Sequence, residues 1–468
     1  MNKAVRFGKN TLADKLFLLG EMLLLLVSSL LASYIYSFFQ PVDQELAAIN
    51  AVLFTGSVML CALSVGLYDQ KLREDTGGVF KRVVITLILA GILLELVIFS
   101  IVPSLHLGLA YSLTASFLSM LTLTSFRMLF QYHDITKISR RKVMILGSGE
   151  RASIIERRMR RNVDKRNFEV HGFVFIDGDQ PGHIPEARTI HFDYKNNLYE
   201  YACEHEIEQL VIACDERRNM LPVEHLFKCK TRGIDVIEIL DFIEQETGQI
   251  AVNLIYPSWV IYSNGFEMNH RFKTSLDHRL NALLAICVLL VVWPLMLITA
   301  LAIYLDDGRR TGTPVLYKQI RIGIDGKPFH ILKFRSMRAD AEKNGAKWAT
   351  VNDDRVTKIG GFIRKYRIDE LPQLFNIIVG DMGFVGPRPE RPEFVEKLVK
   401  EIPYYNQRHN VKPGLTGWAQ LKYPYGSTTE DAQEKLKFDL YYIKHRTLLL
   451  DLVILIRTVE IVLFGKGR

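Results

Sequence analysis

Cysteine is scarce in this chain, with only five cysteines scattered over 468 residues. Cys61, Cys203, Cys214, Cys229 and Cys287 form neither a CxxC pair nor a cluster with histidine. The spacing therefore excludes the usual structural zinc sites. An odd, scattered set of cysteines is also unlike a disulfide framework and is typical of reduced thiols in a cytoplasmic setting.

Lysine and arginine are missing from two loops in the first 140 residues. Four apolar runs there each approach the roughly 20 residues that a helix needs to cross a bilayer. These runs are residues 16–39, 46–67, 83–102 and 107–130. Loops 40–45 and 103–106 contain no Lys or Arg, whereas basic residues precede the first run, fill the middle loop and follow the fourth run. The basic residues are Lys3, Arg6, Lys9, Lys15, Lys71, Arg73, Lys81, Arg82, Lys137, Arg140, Arg141 and Lys142.

The positive-inside rule therefore predicts a four-helix transmembrane bundle over residues 1–140, with both ends in the cytoplasm. The first run is too long for a cleaved signal peptide and has no small-residue cleavage site. Glu95 and Arg127 lie within apolar runs. Such charges either mark a transport path or form pairs near an interface. We favour the structural role.

The charge balance fits a membrane enzyme that handles anions. The net charge is +8, and 49% of the residues are hydrophobic; the pI is about 9.0 and the mean hydropathy is +0.09. A basic protein of this kind suits anionic lipid and anionic substrates. A nucleic-acid binder would have a similar charge, but the apolar runs argue against that class.

The middle of the chain lacks the Tyr-x-x-x-Lys pair of many dehydrogenases, since Tyr194 is followed by Leu198 four positions later. It does contain a strand pattern over 142–146 that ends in Gly147-Ser148-Gly149-Glu150-Arg151-Ala152. A loop of this type can bind a dinucleotide phosphate at a helix N-terminus. Further strand patterns at 170–177, 209–213 and 235–238 predict a Rossmann-like, doubly wound domain over residues 141–270.

The nucleotide signal in this domain is limited to one glycine fingerprint. Asp177 ends the second predicted strand, where a ribose-binding acid would lie, but it is farther from Gly149 than the usual ~20 residues. We therefore favour a structural or regulatory role. A nucleotide-sugar dehydratase or epimerase that uses Gly147–Ala152 remains an alternative.

Two adjacent carboxylates, Asp369 and Glu370, precede a helical pattern near the C-terminal third. Leu371, Leu374, Phe375 and Ile378 have the i, i+3, i+4, i+7 spacing of a helix with one buried face. Asp369 is then predicted at the N-cap, with Pro372 in the first turn. The positive end of the helix dipole would keep the carboxylates ionised. Such a carboxylate can bind Mg²⁺ or attack phosphorus, although both residues could simply cap the helix.

The C-terminal part contains four motifs whose order along the chain is typical of a known protein family. They are Lys333-Phe334-Arg335-Ser336-Met337, Ile368-Asp369-Glu370-Leu371-Pro372-Gln373-Leu374-Phe375-Asn376, Gly380-Asp381-Met382-Gly383-Phe384-Val385-Gly386-Pro387-Arg388-Pro389, and Lys412-Pro413-Gly414-Leu415-Thr416-Gly417-Trp418-Ala419-Gln420. In this order they resemble the bacterial sugar transferase family, the monotopic polyprenyl-phosphate sugar-1-phosphate transferases. The resemblance covers roughly residues 273–468. The preceding part resembles the N-terminal extension of the large members, a four-helix membrane bundle followed by a Rossmann-like domain.

The resemblance implies an enzyme of the cytoplasmic face of the bacterial inner membrane. It would transfer a sugar-1-phosphate from a UDP-sugar to undecaprenyl phosphate and release UMP. Asp369 would be the nucleophile that forms a phosphosugar intermediate and would bind Mg²⁺, a cofactor suited to carboxylate and phosphate oxygens. Glu370 points away from Asp369 by about 100° on a helix, so it would assist the metal or the deprotonation of the acceptor.

Cationic side chains in the motifs are the candidate phosphate ligands, because guanidinium and ammonium groups bind phosphate oxygens. They are Lys333, Arg335, Arg364 and Arg388, each of which could otherwise be a solvated surface cation. Pro387 and Pro389 would fix the backbone beside Arg388, which makes Pro387 a substrate-site candidate. Asp439 is a further acidic candidate there. Trp418 could stack on a base or anchor at the membrane interface.

One proline affects the predicted topology of the catalytic domain, residues 271–468. The apolar segment at about 280–305 is long enough to span a bilayer, but Pro294 would kink it, and basic residues flank both ends. A re-entrant helix that breaks at Pro294 satisfies these facts, and the resemblance implies the same shape; a spanning helix is the alternative. The run 448–464 carries Asp451, Arg457 and Glu460, which favours an interfacial helix.

The overall prediction is an α/β protein with membrane helices and a monotopic catalytic domain. Its partners would be a UDP-sugar, undecaprenyl phosphate and membrane lipids, without nucleic acid, and the resemblance implies a homodimer. It would initiate exopolysaccharide, capsule or O-antigen synthesis. The alternative is a scaffold or sensor of a polysaccharide assembly complex with a degenerate transferase domain. The identity of the sugar does not follow from the sequence.

Overall fold

The computed structural model comprises two compact units, Met1–Gly248 and Gln249–Arg468. It describes residues 12–65, 67–68, 76–132, 141–158, 168–180, 183–216, 221–255, 271–338, 340–341, 354–423, 426 and 428–463. Part of the orientation prediction rests on basic residues outside these ranges, namely Lys3, Arg6, Lys9, Lys71, Arg73, Lys137 and Arg140.

The first unit begins with four apolar helices. They are α1 (Leu12–Ser37), α2 (Gln44–Val65), α3 (Thr76–Leu93) and α4 (Leu109–Tyr132). Three of them contain a stretch long and apolar enough to cross a membrane, and a fourth such stretch, Asp277–Asp306, belongs to the second unit. The third predicted run gives the shorter apolar helix Arg82–Leu93, because a π-helical turn, Leu94–Ile98, follows it.

Both charges predicted within the apolar runs have partners. Arg127 Nε lies 2.6 Å from Glu21 Oε1, and Tyr68 donates to Glu21 Oε2 at 2.6 Å. Glu95 accepts a hydrogen bond of 2.7 Å from Ser112 and lies 3.0 Å from His106 Nε2. Each charge therefore has a partner, which fits the structural role favoured for Glu95 and Arg127; that role stays a prediction.

The rest of the first unit is built on a five-stranded parallel sheet with the order β3-β2-β1-β4-β5. The strands are β1 (Arg141–Leu146), β2 (Phe168–Val174), β3 (Thr189–Ile190), β4 (Gln209–Ile212) and β5 (Asp235–Glu238). The helices are α5 (Glu150–Arg158), α6 (Tyr194–Glu204), α7 (Val223–Thr231) and α8 (Ile239–Thr247). Met144, Leu146, Val174 and Leu210 of the sheet pack with Leu198 of α6 in one buried core. The four predicted strands are present, but β2 ends at Val174 and not at the predicted Asp177; β3, at two residues, is too short for a sequence pattern.

The second unit contains one long helix, α9 (Arg271–Ile303), and a small mixed fold. Its strands are the antiparallel pair β6 (Leu316–Ile322) and β7 (Pro328–Phe334) and the parallel pair β8 (Gly383–Val385) and β9 (Gly414–Thr416). Its other helices are α10 (Lys358–Lys365), α11 (Gln373–Val379), α12 (Pro392–Glu401), α13 (Trp418–Lys422), α14 (Thr429–His445) and α15 (Leu448–Leu463).

Pro294 lies inside α9, and the helix does not end there. The prediction that the helix is interrupted at Pro294 is therefore wrong. A proline removes one backbone hydrogen bond and bends a helix, but the neighbouring turns keep theirs. The re-entrant path of this helix stays a prediction.

Candidate functional site

Asp369 and Glu370 lie on a single 3₁₀ turn, Ile368–Glu370, that precedes α11. Arg367, just before the turn, has the left-handed backbone angle φ = 57°, which is costly for a residue with a side chain. The N-cap of α11 is Pro372, so the predicted capping role of Asp369 is wrong. Both carboxylates therefore lie between Arg367 and the start of the helix, outside α11 itself.

The buried face of α11 also differs from the prediction. Leu374 and Ile377 are buried together with Gln373 and Asn376, whereas Phe375 is exposed. The reason is that Asn376 has backbone partners inside the fold. Its side chain donates to the carbonyl of His330 at 2.7 Å and accepts from the amide of Leu332 at 3.0 Å. These two bonds join α11 to β7 and bring Lys333 beside the carboxylate turn.

Three cations surround Glu370, which is 6% exposed. Both terminal nitrogens of Arg388 donate to Oε1 at 3.1 Å, and Arg367 donates to Oε2 at 3.2 Å. Lys333 Nζ lies 3.9 Å from Oε1. Burial alone would raise the pKa of Glu370, but the three cations together hold that pKa well below its usual range.

Asp369 has the opposite environment. It is 9% exposed, and among the described residues its Oδ1 has no hydrogen-bond partner. Burial, assisted by the charge of Glu370, raises the pKa of Asp369 to about 6, although Lys333 and nearby arginines oppose the shift. A carboxylate that is desolvated, uncommitted and still mostly ionised at neutral pH is suited to nucleophilic attack or to metal binding.

Two of the predicted phosphate ligands lie within the electrostatic reach of Asp369. Burial lowers the pKa of Lys333 to about 8; Arg388 acts in the same direction and Glu370 against it. Arg364, in the last turn of α10, acts on Asp369 electrostatically. Its Nη1 is buried and has no hydrogen-bond partner in the described part of the chain. In the described part of the chain, Arg364 Nη1 and Asp369 Oδ1 thus both keep unsatisfied hydrogen-bonding capacity that a ligand could use.

The segment 386–389 that carries Arg388 is held by the buried Arg408 and the partly buried Arg321, neither of which was predicted from the sequence. Arg408 donates to the carbonyl of Arg388 at 2.8 Å, and Arg321 donates to the carbonyl of Pro389 at 3.1 Å. Nothing in a single sequence distinguishes these arginines from surface cations. Arg367 was missed for the same reason.

Close approach between two loops also fixes the segment 386–389. A Cβ on Gly414 would lie 2.1 Å from the amide nitrogen of Gly386, and one on Gly417 would lie 2.2 Å from the Gly386 carbonyl oxygen. Pro387 is buried at this junction, and its carbonyl accepts from the Gly414 amide at 3.0 Å. Gly414 and Gly417 are therefore required, because a side chain at either position would collide with the backbone of Gly386.

Asp439 lies in a buried ion pair and not beside the carboxylate turn. Its Oδ2 accepts from Nε and Nη2 of Arg408 at 3.2 and 2.9 Å. It thus supports Arg408, which supports the backbone of Arg388. For Arg335 the structure fixes the backbone amide, which donates to the carbonyl of Val315 at 2.9 Å. Substrate contacts of Asp439, Arg335 and Pro387 stay predictions.

The residues around Asp369 fit a Mg²⁺ ion that has few protein ligands. The buried, unpaired Oδ1 of Asp369 is a suitable oxygen ligand, whereas both oxygens of Glu370 are engaged by cations. In the described ranges no group of three or more His, Cys, Asp or Glu side chains could hold a metal. Mg²⁺ is commonly bound by one or two carboxylates together with substrate phosphates and water, which agrees with this arrangement.

Comparison with known proteins identifies the family of the C-terminal part. Residues 270–465 match the family model described as bacterial sugar transferase. A UDP-N-acetylgalactosamine-undecaprenyl-phosphate N-acetylgalactosaminephosphotransferase from Aeromonas hydrophila is 38% identical over 242 residues, 52% of this chain and 55% of that protein. An undecaprenyl-phosphate glucose phosphotransferase from Komagataeibacter xylinus is 31% identical over 346 residues, 71% of this chain and 61% of that protein.

The chain aligns with a larger share of a shorter relative. An uncharacterised sugar transferase from Bacillus subtilis is 41% identical over 162 residues, which are 34% of this chain and 74% of that protein. The chain spans about half the length of the Aeromonas relative. The family model matches the C-terminal region, and the chain aligns with 74% of the Bacillus sugar transferase at 41% identity, so the chain belongs to the bacterial sugar transferase family.

Proposed function

We propose that this chain transfers a sugar-1-phosphate from a UDP-sugar to undecaprenyl phosphate, with release of UMP. The Aeromonas and Komagataeibacter relatives are named for transfers to undecaprenyl phosphate, one of N-acetylgalactosamine phosphate and one of glucose phosphate. The observation that carries the proposal is the buried pair Asp369–Glu370: cations hold Glu370 ionised, and Asp369 is desolvated with an Oδ1 that has no hydrogen-bond partner among the described residues.

In the first half-reaction, an oxygen of Asp369 forms a bond to the phosphorus that bears the sugar. The bond from that phosphorus to the bridging oxygen breaks, and UMP leaves with the electron pair. In the second half-reaction, a phosphate oxygen of undecaprenyl phosphate attacks the same phosphorus. The bond to Asp369 breaks and the carboxylate is regenerated, which balances the reaction without a further reactant.

Glu370 is proposed to organise the cations that receive the donor. Since it accepts from Arg388 and Arg367 and attracts Lys333, it fixes three positive groups at one edge of Asp369. Arg388 is 39% exposed at its side chain, so it can contact a phosphate while it stays bonded to Glu370. Preorganised cations of this kind stabilise the charge that develops on transferred phosphoryl groups.

Asp369 is the residue proposed to hold Mg²⁺, through the oxygen that lacks a partner. A bound Mg²⁺ neutralises phosphate charge and so favours attack by a carboxylate. Lys333 and Arg364 would share this task, because both act electrostatically on Asp369.

The re-entrant path of α9 is also proposed, and contacts at its two ends support it. Near the N-terminus, Asn281 accepts from the Phe384 amide at 2.9 Å and the His278 ring lies against Gly380. Near the C-terminus, Ile303 packs in a cluster with Phe334 that also includes Leu371.

The spacing of these contacts along the chain supports a bent helix. Leu371 lies two residues before α11 and Gly380 directly follows it, and nine residues in helical geometry span about 14 Å. Residues 278 and 303 of a straight helix would be about 38 Å apart. A bend near Pro294 reconciles the two distances, and a bent helix can enter and leave a membrane on the same, cytoplasmic side.

Exposed apolar side chains beside the site fit a position at the membrane surface. Phe362 of α10 and Val379 of α11 are 60% and 75% exposed, and α10 also carries Lys358 and Lys365. Apolar side chains flanked by lysines are typical of interfacial helices. The carboxylate turn between α10 and α11 would then reach both a lipid phosphate and a soluble donor. A Rossmann-like middle domain and a homodimer are part of the same proposal.

The function is tested by incubation of the purified full-length chain with a panel of UDP-sugars. We expect UMP release with one or a few donors, a stoichiometric amount without undecaprenyl phosphate and turnover with it. A scaffold or sensor with a degenerate transferase domain would release no UMP with any donor. Light scattering of the same preparation in detergent tests the homodimer.

A further inference from the structure

The glycine loop of the middle domain is folded tightly between β1 and α5. Gly147 has φ = 128°, and a Cβ there would lie 2.6 Å from the carbonyl carbon of Ala213 at the end of β4. In doubly wound sheets, the groove where the strand order reverses, here between β1 and β4, is the usual dinucleotide site. The backbone amides at the start of the helix are then the phosphate ligands.

In this chain, a carboxylate of the same domain already accepts hydrogen bonds from those amides. Asp215 follows β4, and its Oδ2 accepts from the Glu150 amide at 2.8 Å. Its Oδ1 accepts from the Arg151 amide at 2.9 Å. A Cβ on Gly149 would lie 1.9 Å from Oδ2, so the carboxylate fills the space directly above the loop.

A second carboxylate holds Asp215 in place. The buried Asp179, which follows β2, accepts from the Ser148 amide at 2.7 Å and from the Asp215 amide at 3.0 Å. Four backbone amides at the edge of the sheet are thus satisfied by two side chains. The two acids follow the strands on either side of β1, and the hydrogen bond from the Asp215 amide to Asp179 joins them beyond the end of β1.

We infer that Asp215 is a built-in occupant of the phosphate position, and that the middle domain binds no dinucleotide on this loop. A carboxylate bonded to two adjacent helix amides makes the contacts that a phosphate oxygen would make. An incoming phosphate would have to displace Asp215 and then remain beside two negative charges. Both requirements oppose binding.

The surroundings of Asp177, the acid expected to bind a ribose, agree with this inference. Asp177 lies on the exposed surface and pairs with Lys195 at 2.9 Å, so it already has a partner. A dehydratase or epimerase working through Gly147–Ala152 would need this groove open. The inference therefore assigns the loop a structural role, which is to join β1, β2 and β4 at one edge.

The test uses the full-length chain in detergent and hydrogen exchange at the amides of Glu150 and Arg151. In Asp215→Ala, both amides should exchange roughly 2- to 30-fold faster, the range expected for loss of a helix cap. Added inorganic phosphate should slow exchange again in this variant and have no effect in the wild type. Asp177→Ala is the matched control, because it removes an acid of the same domain that bonds no helix amide, and its exchange at both amides should be unchanged.

A second variant keeps the shape of the side chain in case Asp215→Ala does not fold. Asp215→Asn retains one acceptor oxygen, so one of the two amides should lose protection while the other keeps it. NADH fluorescence gives an independent readout, and the wild type should show no saturable binding. Saturable NADH binding to the wild type, or unchanged exchange at both amides in both Asp215 variants, would overturn the inference.

Discussion

Asp369 and Glu370 are neighbours in the chain, yet their carboxyl groups have opposite protonation tendencies. The cause is the number of cations in direct contact. Glu370 has three within 3.9 Å, whereas Asp369 has an oxygen without any partner in the described residues. When the surroundings shift the pKa values of two neighbouring carboxyl groups in opposite directions, the group with the raised pKa is the candidate for chemistry. The other group is the candidate for electrostatic support.

The pH dependence of the donor half-reaction follows from these shifts. Asp369, with its pKa raised to about 6, must be ionised to attack, so the rate should fall as the pH decreases through 6. Lys333, with its pKa lowered to about 8, loses its charge above that pH, so the rate should fall again. We expect a bell-shaped pH profile of the single-turnover rate constant, with apparent limbs near pH 6 and 8. UMP release without acceptor is the measurement, because undecaprenyl phosphate titrates in the same range.

Glu370→Gln provides the matched test of this assignment. The charge of Glu370 raises the pKa of Asp369 and of Lys333, so its removal should move both limbs to lower pH. The overall rate should also drop, because three cations lose the carboxylate that organises them. An acid limb that stays at the same pH would show that Asp369 is not the group titrating there.

The covalent step is tested by Asp369→Asn, which keeps the size of the side chain and removes the anionic nucleophile. Activity should fall by at least about a thousandfold if covalent catalysis is the route. Mass spectrometry of the wild type after donor alone should detect a phosphosugar adduct on the peptide containing residues 367–374, and the variant should show none. A single-displacement mechanism would give no adduct and would release UMP only when both substrates are present.

At the scale of elements, the sequence predicted secondary structure better than side-chain orientation. The four longer strands of the parallel sheet were predicted from short apolar patterns, which are clearest in β1 and β4 because buried strands give continuous apolar runs. The 3₁₀ turn at Ile368–Glu370 was not, because it depends on the left-handed backbone of Arg367, which no local pattern indicates. The buried face of α11 was wrong at Phe375, since Asn376 is drawn inward by backbone groups 44 to 46 positions away.

The side-chain contacts of the candidate site were likewise only partly predicted from the sequence. Lys333, Arg388 and the two carboxylates were predicted from motifs and do meet in space. The contacts of Arg367, Arg408 and Arg321 depend on tertiary structure, because these arginines act through Glu370 or through backbone carbonyls. Asp439 was predicted at the substrate, and its observed partner is Arg408.

The path of α9 in the membrane gives a prediction at this scale. If the helix bends at Pro294, single cysteines introduced as Lys273→Cys and Lys318→Cys in a cysteine-free background should both be labelled from the cytoplasmic side. In Pro294→Ala, the restored hydrogen bond favours a straight helix, so labelling at 273 and 318 should divide between the two sides and activity should fall. Labelling of the two positions on opposite sides in the parent protein would establish a spanning helix.

At the scale of the whole molecule, the chemistry is concentrated in one of the two units. The family model covers only residues 270–465, and the Bacillus relative is much shorter than this chain, since 162 aligned residues make up 74% of it. Every residue of the candidate site lies in the unit Gln249–Arg468. Deletion of residues 143–265 is therefore expected to leave part of the donor half-reaction while it impairs stability or assembly.

The boundary of the second unit allows a sharper comparison between two truncated proteins, residues 249–468 and residues 273–468. Residues 249–255 belong to this unit: the Ile250 amide donates to the carbonyl of Lys437 at 3.0 Å, and Gln433 donates to Asn253 at 2.7 Å. Ile250 and Val252 are also buried, and full burial of such a side chain contributes about 1.5–3 kcal/mol.

The longer protein should therefore have the higher melting temperature, by at least several degrees, because the shorter one exposes the surface of α14 that these residues cover. Both should still release UMP from the preferred donor, since neither lacks Asp369 or its cations. Equal melting temperatures would mean that residues 249–255 do not stabilise the catalytic unit. A well-folded protein of residues 249–468 that released no UMP, beside an active full-length chain, would show that the first unit contributes directly to catalysis.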